Sequence, residues 1–317
     1  MTVLVLSADI DPTVDAVVET LNHRGVPVFR CDTSWFPNCL SLDAEMTEAG
    51  WRGVLRTERR TAALEGLRSV WYRNPTTFAV PAGMSPAERW HATHEAKFGV
   101  AGVLWSMPVL WVNHPARQAD LFKPVQLAVA QRCGLTVPEK LVTNDPDAVH
   151  RFADRHPGGI IMKPLGFGSI IEEGRRKALN THLLSRTELT DMRGVEMTAH
   201  QFQPFIAKSY EVRLTMVGDR MFAAGITAHS KKARIDFRSD YDALTYKIVD
   251  VPCRVADGVK AFMAWFGLAF GAFDFVVDPN EKWWMLECNP AGQYGWIEDA
   301  TGLQITSALA DLLTKGE

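Results

Sequence analysis

Apolar and polar positions along the chain fall into short runs that predict alternating strands and helices. "TVLVLSA" (2–8) is a run of aliphatic residues, and "PTVDAVVETLNHRG" (12–25) spaces its apolar positions at three and four before closing on Gly25. "VPVFRCD" (26–32) follows as a second strand, and the order strand, helix, strand predicts an α/β unit. "GLRSVWYRNPTTF" (66–78) predicts a strand running into a loop, residues 86–107 a long helix, and "PVLWVN" (108–113) a short strand. Further on, "KPVQLAVAQRCG" (123–134) predicts a helix begun by Pro124 and closed by Gly134, with Val125, Ala128, Val129 and Cys133 as its apolar stripe. "GGIIMKPLGFGSIIEEG" (158–174) predicts a strand carrying Lys163, then a turn of Gly166, Phe167, Gly168 and Ser169, with "ALNTHLL" (178–184) as hairpin partner. "EVRLTMV" (211–217) and "RMFAAGITA" (220–228) predict strands joined at Gly218-Asp219. These patterns divide the chain into 1–112, an N-terminal α/β domain, 113–200, a central unit, and 201–317, a C-terminal unit.

The densest chemistry lies in "MLECNPAGQYGW" (285–296). Residues two apart on a strand share a face, so Glu287 and Asn289 project side by side. "GAFDFVVD" (271–278) reads as the preceding strand and "PNEK" (279–282) as the turn, which sets Asp274 opposite Glu287. Two carboxylates and a carboxamide then converge, a hard oxygen set suited to Mg²⁺ that takes its other ligands from phosphate and water. Cys288 falls on the opposite face, toward the core. Alternation alone fits equally the polar outer face of any half-exposed hairpin.

Composition narrows the classes. The chain has 317 residues, 47% hydrophobic and 22% charged, with a formal net charge of −3, an ordinary globular profile with no electrostatic footprint for nucleic acid or an anionic membrane. Asp9 and Asp11 interrupt the N-terminal apolar run too early for a signal peptide. Five cysteines (Cys31, Cys39, Cys133, Cys253, Cys288) include no C-x-x-C pair, as expected of buried, reduced thiols in a cytoplasmic protein. The turn "SADIDP" lacks the glycines that cradle a dinucleotide, and His91 and His94 do not form a zinc pair with a third ligand.

Two lysines invite an anion. Lys163 sits in an apolar strand, where an ammonium is costly without a fixed counter-charge, and the glycine turn behind it can offer backbone N–H groups to phosphates. Lys123 begins a helix and by itself fits a solvated residue equally well. Glu211 and Arg213 share a strand face and can be a structural ion pair, while Arg238 follows a basic loop, "HSKKARID".

Taken in order, Lys123, Lys163 with its glycine turn, "QPFI" (203–206), "EVR", "DFR" and D…E-x-N resemble the ATP-grasp superfamily over roughly 110–315, with the preceding α/β unit resembling its usual N-terminal (pre-ATP-grasp) domain. "SVWYRNP", "KSYEVRLTMVGDRMFAA" and "ECNPAGQYGWIEDATGLQI" look like the graspetide synthetases, ATP-grasp maturases of ribosomal peptides of the microviridin type, above all through Gly292, Gln293, Trp296 and Glu298. "DFRSD" is also similar to ribosomal-protein glutamate ligases. Two positions depart from the pattern: Pro204 replaces the acid common after the hinge glutamine, and Asn74 stands where arginine is common.

The resemblance implies an α/β (α+β) ATP-grasp fold and the cofactors ATP and Mg²⁺. It implies that Lys123, Lys163, Gln203, Phe205, Ile206 and Glu211 bind ATP, that Arg213 and Arg238 are catalytic, and that Asp274, Glu287 and Asn289 hold the metal. The expected function is an ADP-forming ligase that macrocyclises a precursor peptide with a leader and an acidic, Thr-rich core. Asp or Glu side chains are activated as acylphosphates and joined to Ser/Thr or Lys. The expected protein is a cytoplasmic homodimer without nucleic-acid or membrane partners, and its hairpin near 170–184, with "GRRK" at the turn, holds the leader. Alternatives are a ligase adding free amino acids, an ATP-dependent kinase, or a peptide-binding module.

Overall fold

The computed structural model describes residues 1–166 and 168–316. β1 (Thr2–Ser7), α1 (Pro12–His23) and β2 (Val28–Cys31) form the opening strand–helix–strand. Asp11 starts α1 by accepting from Thr13 N and Val14 N, with Pro12 in the first turn where no N–H is missed. β3 (Ser41–Thr47), β4 (Gly50–Arg56) and β5 (Thr61–Ala63) pair as a separate antiparallel sheet. The pattern reading missed this sheet because "SLDAEMT" alternates polar residues with few large apolar ones. β6 (Leu67–Arg73), α2 (Pro86–Ala96), α3 (Gly102–Trp105) and β7 (Leu110–Val112) complete the unit, giving a parallel sheet in the order β2-β1-β6-β7. The helix expected over 86–107 is helical but turns through a π segment, Lys97–Ala101, and stops at Trp105.

The middle of the chain contains α4 (Pro115–Ala119), α5 (Lys123–Arg132), β8 (Leu141–Thr143), α6 (Pro146–Arg155), β9 (Ile160–Lys163), β10 (Ser169–Glu172), β11 (Arg175–Ala178), β12 (His182–Leu183), α7 (Arg186–Thr190) and β13 (His200–Pro204). An antiparallel sheet in the order β12-β9-β13-β8 covers a small core that includes Val149, Phe152, Ile160, Val195 and Phe202. The strand carrying Lys163 ends at that residue and pairs antiparallel with β12, within the segment 178–184 expected as its hairpin partner; Phe167 of the expected turn lies outside the described residues. Two expectations change here. "GRRK" is not the turn of a hairpin over 170–184: β10 pairs with β11, so Arg175–Lys177 lie in a strand. The buried face of α5 is Gln126, Leu127, Val129 and Ala130, while Val125 and Ala128 are exposed. Gln126 is buried because its carboxamide accepts from Cys288 N at 2.8 Å and donates to Leu121 O at 2.8 Å, bonds that hydropathy does not register.

β14 (Tyr210–Val217), β15 (Arg220–Ala228), β16 (Leu244–Ile248), α8 (Cys253–Phe266), β17 (Phe270–Val277), β18 (Trp283–Asn289), α9 (Gly295–Thr301) and α10 (Ile305–Lys315) follow. They form an antiparallel sheet in the order β16-β15-β14-β17-β18. β14 and β15 meet at Gly218, whose φ of 58° suits glycine. β17 is buried along its whole length because both sheet faces carry core. One face packs Phe273, Phe275, Met285 and Cys288 against α8 and against Val129 and Ala130 of α5. The other shares a core with the first unit, where Ala272, Tyr294 and Leu309 meet Val3, Val14 and Val112. Hydrogen bonding therefore places 201–204 in the middle sheet, and α5, although ahead of that sheet in sequence, packs on the last one. Cys39 and Cys253 are exposed and Cys133 is half-buried, against the expectation of mostly buried thiols, and all five are free. No described helix is long and apolar enough to cross a membrane.

Candidate active site

Strand register builds the centre of the site. Arg213 on β14 faces Asp274 on β17, which faces Glu287 on β18, so three charges form one row across three strands. The next pair is Phe275 with Met285, which leaves Leu286 as an extra residue on β18. This bulge reverses the alternation. Trp283, Met285 and Cys288 face the core, while Leu286 and Glu287 face a cleft. Without the extra residue Glu287 would share the side of Met285. Asn289 lies two residues on, and its Oδ1 accepts from Ala291 N at 2.9 Å.

Every acid in this row is held by cations. Asp274, its side chain 8% exposed, takes Arg213 Nη1 at 3.0 Å and Arg238 Nη2 at 2.8 Å on its two oxygens. Glu287 meets Lys123 Nζ at 3.1 Å and Arg238 Nη2 at 3.4 Å. Burial alone would raise the Glu287 pKa, but Lys123, Arg238 and Lys163 outweigh it and hold the carboxyl at about 2. Arg238 is desolvated too, yet Asp274, Glu287 and Asp236 keep its guanidinium charged and its pKa above the usual value. It is carried on a short turn, Phe237–Ser239, opened by Asp236, whose carboxylate accepts from Arg238 N and Thr181 N, each at 3.1 Å. Arg213 Nε has no hydrogen-bond partner among the described residues, and its guanidinium lies over the Trp296 ring at 5.9 Å.

A cleft of about 1000 Å³ opens beside this row, lined by Lys123, Lys163, Arg213, Arg238, Asp274, Glu287, Asn289 and Trp296 among others. It narrows into a slot of about 40 Å³ between the middle and last sheets, walled by Ile161, Ile206, Val276 and Leu286. Gln203, Phe205 and Glu211 line this slot, and Lys163 borders both spaces. The eleven residues singled out from sequence thus gather around two connected spaces. Lys163 makes no ion pair among the described residues; burial lowers its pKa, with Glu287, Glu211 and Asp236 opposing. Glu211 moves the other way: burial raises its pKa against the pull of Lys208, whose Nζ lies at 2.6 Å.

Sequence reasoning missed Lys140 and Lys208. Lys208 could have been suspected from its position three residues before Glu211. Lys140 carries no local signal. Only the pairing of β8 with β13 brings its Nζ to Gln203 Oε1, and burial together with Lys163 pushes its pKa down to about 7. Glu298 turns out to be architectural, accepting from Thr306 N at 3.1 Å at the start of α10.

The residues fit a hard divalent ion. Two carboxylates and a carboxamide oxygen face one cleft, and Glu287 keeps its charge far below neutral pH. Among the described residues no group of three His, Cys, Asp or Glu side chains forms a self-sufficient cage, so an ion held here would need further ligands, such as phosphate and water.

Residues 2–119 match the family model described as the MvdD pre-ATP grasp domain. Comparison with curated protein sequences gives no match. Among solved structures, macrocyclase MdnC from Microcystis aeruginosa MRC, bound with precursor peptide MdnA, has 27% identity and a TM-score of 0.86, covering 100% of both chains. A RiPP-associated ATP-grasp ligase from Chryseobacterium gregarium, in complex with ADP and a leader and core peptide, has 25% identity and a TM-score of 0.90, covering 99% of this chain and 96% of that one. Macrocyclase MdnB from Microcystis aeruginosa MRC has 27% identity and a TM-score of 0.80 over 99% of each chain. The ATP-grasp fold and the likeness to graspetide-type ligases expected from sequence are borne out.

Proposed function

We propose that this graspetide-type ATP-grasp ligase uses ATP to macrocyclise a ribosomally made precursor peptide. The observation that carries the reading is the row Arg213–Asp274–Glu287 with Arg238 and Lys123, set on a cleft wide enough for a triphosphate and a peptide side chain. The likeness to peptide-bound MdnC and to the ADP- and peptide-bound Chryseobacterium ligase supports it.

In this reading a substrate Asp or Glu carboxylate oxygen attacks the γ-phosphorus of ATP, and ADP leaves. A Ser/Thr hydroxyl or Lys amine then attacks the acylphosphate carbonyl, loses its proton and expels inorganic phosphate. Both steps gather negative charge, so fixed cations do most of the work. Arg213 and Arg238, both on the cleft wall, flank the phosphoryl and acyl oxygens. Lys123 and Lys163 hold the phosphates. The slot at Gln203, Phe205 and Ile206, about 40 Å³ as it stands, widens to take the adenine, and Glu211 takes the ribose. Asp274, Glu287 and Asn289 hold Mg²⁺, which when bound neutralises phosphate charge. No enzyme nucleophile is required.

Incubation with ATP, Mg²⁺ and the precursor encoded beside the gene is expected to remove one water mass per bond formed, with one ADP released for each. Fragmentation then assigns the ester or amide link. A mass gain from an added amino acid or phosphate would overturn the macrocyclase in favour of the amino-acid ligase or kinase. A cytoplasmic location belongs to the same proposal, supported by the need for ATP and by five free thiols. So does the homodimer that the resemblance implies, checked by light scattering. Leader binding by the β10–β11 hairpin is checked with hairpin variants in a peptide-affinity assay.

A further inference from the structure

The loop after Asn289 is gripped from behind by the first unit and by Asn113, the residue that follows it. The β17–β18 ladder ends at the Ala272–Asn289 pair, so the carbonyls that follow need other partners. They find them on side chains far away in sequence. Asn113 Nδ2 donates to Pro290 O and Phe270 O at 2.8 Å each, and its Oδ1 accepts from Ala269 N and Phe270 N. Arg73 Nη1 donates to Ala291 O and to Gly292 O. Thr13 Oγ1 donates to Gln293 Oε1 at 2.7 Å. The loop lies tight on β17: a side chain at Gly292 would set its Cβ 2.5 Å from that of Ala272.

Arg73 is the costly member. It is 2% exposed, its only ion partner is Asp11 at 3.2 Å, and its Nη2 has no partner among the described residues. Burying a guanidinium so sparsely compensated argues for a use other than stability.

We propose that Arg73, with Asn113 and Thr13, positions Asn289 for the metal, making the first unit the rear wall of the metal site. Ala291 is the link. Its N–H occupies one lone pair of Asn289 Oδ1 and leaves the other for a ligand, while its carbonyl is the group that Arg73 holds. The peptide unit that carries this N–H has Pro290 O as its carbonyl, held by Asn113, and the next unit is held through Ala291 O by Arg73, so releasing either loosens the N–H that aims the carboxamide. The inference rests on the reading of Asp274, Glu287 and Asn289 as the metal set.

The test needs no peptide. ADP binding to the full chain is measured by calorimetry over a series of Mg²⁺ concentrations, beside a melting curve for each variant. Arg73→Gln should raise the Mg²⁺ needed for half-maximal ADP binding by about tenfold or more, as loss of a ligand-orienting partner does elsewhere. ADP affinity at saturating Mg²⁺ should stay within about twofold of wild type on the same argument. Thr13→Val, which removes one hydrogen bond and no charge, should shift Mg²⁺ dependence less and in the same direction. Because Arg73→Gln strands the Asp11 charge, Arg73→Gln/Asp11→Asn is measured with it and should show the same Mg²⁺ shift. Folded variants with a lower melting temperature but wild-type Mg²⁺ dependence would overturn the inference alone. Wild-type ADP binding that ignores Mg²⁺ would overturn the metal reading and the inference with it.

Discussion

The middle and last sheets face each other across the cleft but carry their charges differently. On the last sheet Arg213, Asp274 and Glu287 are neutralised within a row that Arg238 and Lys123 complete, and the sheet is pinned between two large cores. On the middle sheet Lys163 faces the cleft without an ion pair among the described residues, over a small core that includes Val149, Phe152 and Ile160. A fully paired row can stay rigid and release its cations to phosphate only when a nucleotide replaces the acids. An unpaired lysine on a lightly anchored sheet gains by closing onto an anion. Under the proposed function the last sheet is the better anchored wall of the cleft and the middle sheet the wall that costs less to move, since regions with few buried apolar contacts open at least cost.

Breaking the row should have the largest effect. Glu287→Gln keeps shape but removes one charge, and ADP formation should fall by at least about 100-fold, in line with several kcal/mol of lost charge stabilisation. Near-normal turnover with the fold intact would remove the last sheet from the chemistry. Arg213→Met leaves Asp274 buried with Arg238 alone and should cost about 3 kcal/mol, read as a lower urea midpoint.

Lys163→Met tests the other side with opposite signs. Nucleotide affinity should fall by about tenfold or more as a charge-assisted contact is lost. The melting temperature should hold or rise, because a poorly compensated buried ammonium is removed. A variant that loses stability instead would mean that Lys163 is paired in solution and that the contrast between the sheets is wrong.

Lys140 gives a smaller effect that depends on pH. Its pKa falls from 10.5 to about 7 on folding, chiefly through burial and Lys163. Between those values the unfolded chain keeps a proton that the folded chain has lost, so stability rises with pH across the window, and the penalty is complete below about 7. Lys140→Met should flatten that rise in unfolding curves taken from pH 6 to 10. Smallest of all, Lys177→Ala on β11 removes an exposed pair with Glu172, with side chains 58% and 55% exposed, and should change stability by no more than about 0.5 kcal/mol. Nucleotide binding should be unaffected, and a measurable loss would tie the hairpin to the nucleotide site.

Legibility followed the range of the forces involved. The hairpin could be read from its short turn, and alternation placed Asn289 beside Glu287 and Cys288 toward the core, but the turn's own register would set Asp274 against Leu286, and the bulge is what brings Glu287 opposite it. The bulge at Leu286 could not be read, since it depends on packing Trp283 and Met285 against α8, nor could the buried carboxamide of Gln126, which bonds to a strand 162 residues away. The β3–β5 sheet escaped although β3 alternates strictly, because its apolar positions, Leu42, Ala44 and Met46, include few large side chains.

By itself the sequence determined the opening strand–helix–strand, the β14–β15 and β17–β18 hairpins and the residue types that line the cleft, because local periodicity, turn residues and motif spacing are written within a few tens of residues. Tertiary structure alone decided which acid meets which cation, how Lys140 reaches Gln203, and that Arg73 and Asn113 hold the loop beyond Asn289. Those contacts join segments up to about two hundred residues apart. They exist only where burial has made an unpaired charge or carbonyl too costly to leave alone.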